Sequence, residues 1–172
     1  MDRTQSSPGG KLGVVQARFS PRSLGLSFLK HPPQMPTMTI ADRAAEIEDE
    51  FGFLDDWEDR YAHIIDLGKA NPALEASERT EDTKVRGCAS QVWIVLTPQD
   101  EDRVEVRAES DAMIVSGLIS LLTRLYSGAT RDEIRGFDAD AFLIKIGVKG
   151  ALSAQRSNGL ASMLTRIQSF AA

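Results

Sequence analysis

Chemistry in this 172-residue chain has one obvious place to happen, its single cysteine, Cys88. It stands in the segment Arg86-Gly87-Cys88-Ala89-Ser90, directly ahead of an apolar run from Gln91 to Thr97. A cysteine packed as a small hydrophobe belongs inside such a run. This one sits at its mouth, among small residues that let another molecule approach closely. Lys84 and Arg86 lie nearby, and positive charge favours the thiolate, the nucleophilic form. A reactive thiol and an inert buried one both fit these facts.

Other chemistries find less support. The chain has two histidines, His31 and His63. His63 is two residues beyond Tyr61 in a predicted helix, about 200° around from that core position, so it is expected to point to solvent. A Cys–His nucleophilic pair therefore lacks a placed base. No phosphate-cradling glycine pattern of either common type occurs. A lone cysteine forms no internal disulfide and supplies no zinc or iron–sulfur ligand set by itself. A reducing compartment suits such a chain. The net charge is −5 overall. Arg3, Lys11, Arg18, Arg22 and Lys30 against Asp2 give residues 1–37 a balance of +4, so the remainder carries −9. An acidic body argues against a nucleic-acid footprint. No apolar stretch approaches the roughly 20 residues of a membrane span, so a soluble protein is expected.

The elements that must position Cys88 follow from periodicity and caps. Residues 1–37 are rich in Pro and Gly and carry no acid after Asp2. They are expected to be a disordered extension, with a transit peptide or an early start codon as alternatives. The organised domain is expected over 38–172. Thr39 is a predicted N-cap for a helix with Ile40, Ala44, Ile47 and Phe51 on one face. Asp55 or Asp56 opens a second helix, through Trp57, Tyr61, Ile64, Ile65 and Gly68, which Asn71-Pro72 ends. A charge-rich surface loop covers 75–84. A short strand at 84–86, the β-branched and aromatic segment 91–97 and the alternating segment 103–108, which fits one wet face, predict an antiparallel hairpin. Trp93 is expected in the core. Ser110 or Asp111 is a predicted cap for a buried helix to Tyr126. Shorter helices follow Thr130 and cover 141–146, and Ser157 is expected to cap a terminal helix. Helices, strands, then helices spell an α+β domain, a small antiparallel sheet of about three strands backed by helices.

The segment Arg86-Gly87-Cys88-Ala89-Ser90-Gln91-Val92-Trp93 resembles the G-C-x-S-Q-V-W signature of SufE-type sulfur-acceptor proteins of iron–sulfur cluster assembly. The likeness continues through Ser110-Asp111-Ala112 and Ile114 to Leu118. It returns at Arg156-Ser157-Asn158-Gly159-Leu160, where the family has R-S-x-G-L, and it takes in the helix from Trp57 to Gly68. Four segments in order span about residues 40–170.

The resemblance implies a fold like that of U-type cluster scaffolds and a role as non-catalytic persulfide carrier. Family members take sulfane sulfur from a SufS- or CsdA-type cysteine desulfurase, speed that enzyme, and deliver sulfur to a SufBCD-type scaffold. They need no cofactor of their own, since the pyridoxal phosphate belongs to the desulfurase. On this basis Cys88 is the expected persulfide acceptor. Arg156 stabilises thiolate or persulfide, or else pairs with a carboxylate near its helix start. Gly87, Ser90, Gln91 and Asp111 are the expected loop and partner-contact residues. Asp111 as a plain N-cap, and Ser90 as a thiolate donor or a simple turn end, stay open. Neither nucleic acid nor membrane is expected as a partner, and a homodimer is left open. A bacterial cytoplasm is the expected location, or an organelle if residues 1–37 are a transit peptide. The alternative function is an autonomous thiol enzyme, sulfurtransferase- or peroxidase-like, using Cys88.

Overall fold

The computed structural model describes residues 38–172; the expectations for residues 1–37 lie outside them. The described chain runs α1 (Ile40–Gly52), α2 (Trp57–Ala70), β1 (Val92–Pro98), β2 (Arg103–Ser110), α3 (Met113–Tyr126), β3 (Ala129–Thr130), α4 (Arg131–Gly136), α5 (Ala139–Lys145), α6 (Val148–Ala151) and α7 (Ala154–Ala171). It is the expected α+β architecture, a three-stranded antiparallel sheet in the order β1-β2-β3 with helices against it.

Local signals set the helix starts. Thr39 and Asp42 form a reciprocal capping box at α1, satisfying two backbone donors that the first turn leaves unpaired. Asp56 caps α2, and Asn71 before Pro72 leaves the helical region and ends it. The terminal helix starts earlier than expected. Ser153, not Ser157, caps α7, accepting from the Arg156 N–H. The last carbonyls of α7 are satisfied from α4, where Arg131 donates to Phe170 O and Arg135 to Ala171 O.

In the hairpin Val92 pairs with Ser110 and Ile94 with Ala108. Val92, Ile94, Val104, Val106 and Ala108 face the core and are nearly inaccessible. Trp93 pairs with Glu109 on the other face and is half-buried, not in the core. The choice of face follows from the partner strand, whose Val104, Val106 and Ala108 lie on the same face of the sheet as Val92 and Ile94. The outer face is not wet throughout. The charge-rich segment folds over it, with Arg107 paired to Glu78 and Arg79 to Glu109. The Asn71 amide donates to Ala108 O. The third strand is Ala129–Thr130, registered against Arg103 and Val104. The expected strand at 84–86 shrinks to a single bridge between Lys84 and Trp93.

α3 is the buried centrepiece. Ile114, Leu118, Ile119, Leu121, Leu122 and Leu125 are all core residues. It crosses α2 at a pair of glycines: a Cβ on Gly117 would stand 1.9 Å from Ile64 O, and one on Gly68 2.4 Å from Met113 O. Ser116 at this crossing is buried yet satisfied, donating to Gly68 O at 3.1 Å. Among the described residues no helix is long and apolar enough to cross a membrane.

Candidate functional site

Cys88 sits in a loop closed by a narrow neck. The Val85 N–H donates to Val92 O and the Ile94 N–H to Thr83 O, each at 2.8 Å. Residues 86–91 form the loop beyond that neck. Gly87 turns it with a φ of +87°, a left-handed conformation that a side chain resists. Cys88 points back and is half-buried. Its thiol donates to Gly159 O across 3.6 Å, a loose S–H···O contact. Burial pushes the Cys88 thiol up from its ordinary value. The expected depression by nearby cations is absent: burial alone acts on the thiol, and Arg86 is solvent-exposed, paired at 4.0 Å with Glu81. The resting sulfur is a protonated thiol, sheltered rather than activated.

The loop rests on α7. Gly159 and Ser162, one helical turn apart, are its seat. A Cβ on Gly159 would stand 3.3 Å from Cys88 Sγ, and one on Gly87 would stand 3.1 Å from Ser162 Oγ. On the β side, Asp111 and Gln91 grip each other. The Gln91 N–H donates to Asp111 Oδ1 at 2.9 Å, and the Asp111 N–H donates to Gln91 O at 3.3 Å. Asp111 is therefore not the N-cap of α3. Ala112 holds that position, without a side-chain cap. Gln91 is held through its backbone. The Ser90 hydroxyl is engaged by Ser110 Oγ at 3.4 Å, not by the thiol.

A cavity of about 430 Å³ opens beside Cys88, walled by Ala112, Ile114, Val115, Leu118 and Met163 and rimmed by Ser90, Ser153 and Arg156. Arg156 is exposed in the first turn of α7, on the same face as Gly159. Its guanidinium has no carboxylate within ion-pair distance among the described residues, which removes the simple pairing expectation. It makes no hydrogen bond to Cys88 in this resting arrangement either. It lines the cavity.

His63 is not a solvated surface residue. It packs edge-on against Phe51 and its Nε2 lies 2.6 Å from Glu50, which also pairs with Arg124. No histidine bonds Cys88 among the described residues. Nor do three or more His, Cys, Asp or Glu side chains gather there as a metal-holding group.

The chain is similar to proteins of one kind. A family profile for the SufE, Fe-S metabolism associated, domain matches residues 45–171. An uncharacterised SufE-like protein of Rhizobium etli is 49% identical over 126 residues, covering 72% of this chain and 85% of that one. A second, from Rhizobium meliloti, is 47% identical over 127 residues, covering 72% and 91%. The solution structure of a hypothetical protein from Thermus thermophilus superposes with a TM-score of 0.62, over 75% of this chain and 93% of that one. At 17% identity it speaks for the fold alone. The class is thus an α+β Fe–S metabolism associated domain, and the chain belongs to the SufE family. Its role lies in iron–sulfur metabolism.

Sequence reasoning missed Gly159 and Ser162 as the seat of the loop, and Ser110 as the partner of Ser90. A glycine in the middle of an amphipathic helix was the available signal for the first.

Proposed function

We propose that this protein is a sulfur acceptor and activator for a PLP-dependent cysteine desulfurase, of SufS or CsdA type. It holds sulfane sulfur as a Cys88 persulfide and passes it to a SufBCD-type cluster scaffold. The observation that carries the proposal is the placement of the one thiol. Cys88 lies at the tip of a loop with a glycine turn, sheltered beside a cavity, in a chain of the SufE family. Residues 38–172 are the carrier domain, and a reducing bacterial cytoplasm suits its thiol.

Transfer is attack of the Cys88 thiolate on the outer sulfur of the donor persulfide. The resting thiol is harder to ionise than a free one, so the reaction needs the loop to leave its seat. Gly87 supplies the backbone freedom for that swing. Outside, the sulfur regains ordinary ionisation and reach. At rest, before loading, the seat keeps the thiol from oxidants. Arg156, always charged, is placed to stabilise thiolate or persulfide anion at the cavity rim.

The test mixes the protein with a desulfurase and cysteine and weighs it intact by mass spectrometry. A reductant-labile gain of sulfur on wild type, and none on Cys88→Ser, is the expected outcome. Cys88→Ser should melt with wild type yet fail to stimulate the desulfurase. Full stimulation by that variant would overturn Cys88 as the acceptor.

A further inference from the structure

Gly159 is out of place by the rules of its own helix. It lies inside α7, where glycine is the costliest residue short of proline, and its backbone is ordinary right-handed helix. Nothing in the path of the chain asks for a glycine there. What asks for it is Cys88, since a Cβ would crowd its Sγ at 3.3 Å while only touching its Cα and Cβ at 3.6 and 3.7 Å. By contrast, a Cβ on Gly52, Gly136 or Gly150 would meet nothing within 4 Å. The same residue also presents the carbonyl that accepts the Cys88 S–H. Space and acceptor come from one position, 71 residues away in sequence.

We propose that Gly159 is a positioning residue for sulfur transfer. Its bare Cα admits the Cys88 side chain and its carbonyl accepts the thiol hydrogen, so the loop is latched while Cys88 is a free thiol and unlatched once Cys88 carries sulfur. This rests on the reading of Cys88 as the sulfur acceptor. In the transfer, Cys88 gives up its proton and its sulfur attacks the outer sulfur of the donor persulfide. The Cys88 S–S bond forms as the donor S–S bond breaks. The donor cysteine leaves as a thiolate and takes the proton, and no oxidant or reductant is consumed. Sγ is then bonded to Cβ and sulfur and has no hydrogen. It faces an oxygen that only accepts. An attractive contact has become a repulsive one, and loading itself loosens the loop.

The test uses the full chain alone. Backbone hydrogen exchange over residues 86–91 is followed by mass spectrometry in wild type, Cys88→Ser and Cys88→Ala. Serine keeps a donor; alanine removes it without adding bulk. Exchange should be about twofold faster in Cys88→Ala, the factor that the low end of hydrogen-bond net strength carries for so loose a contact, and should return toward wild type in Cys88→Ser. Gly159→Ala should raise the rate of maleimide alkylation severalfold. It should also shift the pH of half-maximal alkylation down toward that of an ordinary thiol, because the crowded sulfur must shift away from its seat against Gly159. Equal exchange in all three Cys88 proteins, or an alkylation profile unmoved by Gly159→Ala, would overturn the latch. No desulfurase enters these measurements. Sulfur loading without a latch sinks only the latch, and a latch without loading sinks the carrier role.

Discussion

At the crossing of α2 and α3, the nearest atoms that a Cβ on Gly117 or Gly68 would strike are main-chain oxygens, at 1.9 and 2.4 Å. At the seat of the cysteine loop, the nearest atoms facing Gly159 and Gly87 belong to side chains, Cys88 Sγ at 3.3 Å and Ser162 Oγ at 3.1 Å. Helix backbones move only as whole helices, whereas a serine hydroxyl or a cysteine sulfur moves by rotating one bond. The same residue type therefore makes a rigid joint in one place and a yielding seat in the other. A moving loop draws on the low-stability end of a structure, and it keeps its aim only if the frame beneath it stays still. α3 serves both regions. Gly117 locks it to α2, and its first turn walls the cavity beside Cys88.

The largest effect should come from breaking the joint. Helix propensity alone would have Gly117→Ala stabilise the protein. The geometry reverses the sign, because the methyl must displace the Ile64 carbonyl. The expected cost is about 3 kcal/mol, the upper end for overpacking. In a domain of this size that lowers Tm by roughly 10 °C, measured by circular dichroism. A raised Tm would show that the crossing yields after all. Gly87→Ala should cost less, about 1–2 kcal/mol, since alanine resists a φ of +87°. Unlike the joint variant, it should change Cys88 alkylation in the folded protein.

Asp111→Arg probes the grip on the other side of the loop. It removes the acceptor for the Gln91 N–H, worth about 1 kcal/mol. Alkylation of Cys88 by a bulky maleimide should become severalfold faster, with Tm lower by only about 3 °C. An unaltered rate would mean that the loop is held from α7 alone.

What the sequence revealed of these regions divides along sequence distance. Thr39 was legible as a cap because its partner, Asp42, is three residues away. Cys88 and its Gly87 turn were legible for the same reason, as neighbours in an unusual string. Gly159 was not, since nothing local says that a glycine in one helix faces a cysteine in a distant loop. Asp111 was placed as a helix cap by its position before α3. The register that pairs Val92 with Ser110 instead brings it level with Gln91, a fact of tertiary pairing. Trp93 illustrates phase. Alternation correctly split β1 into two faces, but residue size pointed to the wrong one. β3, two residues long, carries no periodicity at all.

pH separates the frame from the seat by the smallest effects. The frame is tied by Glu50 of α1, which Arg124 of α3 grips at 2.7 Å and His63 of α2 at 2.6 Å. The Arg124 hydrogen bond comes first among the causes that hold the Glu50 carboxyl below its ordinary value. A depressed carboxylate contributes stability that is present above its unfolded pKa and is lost as pH falls through its folded one. Both partners are partly exposed, so the contribution is a fraction of a kcal/mol. The Tm gap between wild type and Arg124→Ala should accordingly be small at neutral pH and close as pH drops below about 4. Cys88 has the opposite sign. Burial raises its folded value, so its contribution is whole below the unfolded thiol pKa and fades as pH climbs through the folded one. Wild type should therefore lose stability relative to Cys88→Ser only above about pH 8.5, where an unfolded thiol ionises. A gap that opens on the acid side for Cys88, or on the basic side for Arg124, would show that the two regions are not tuned separately.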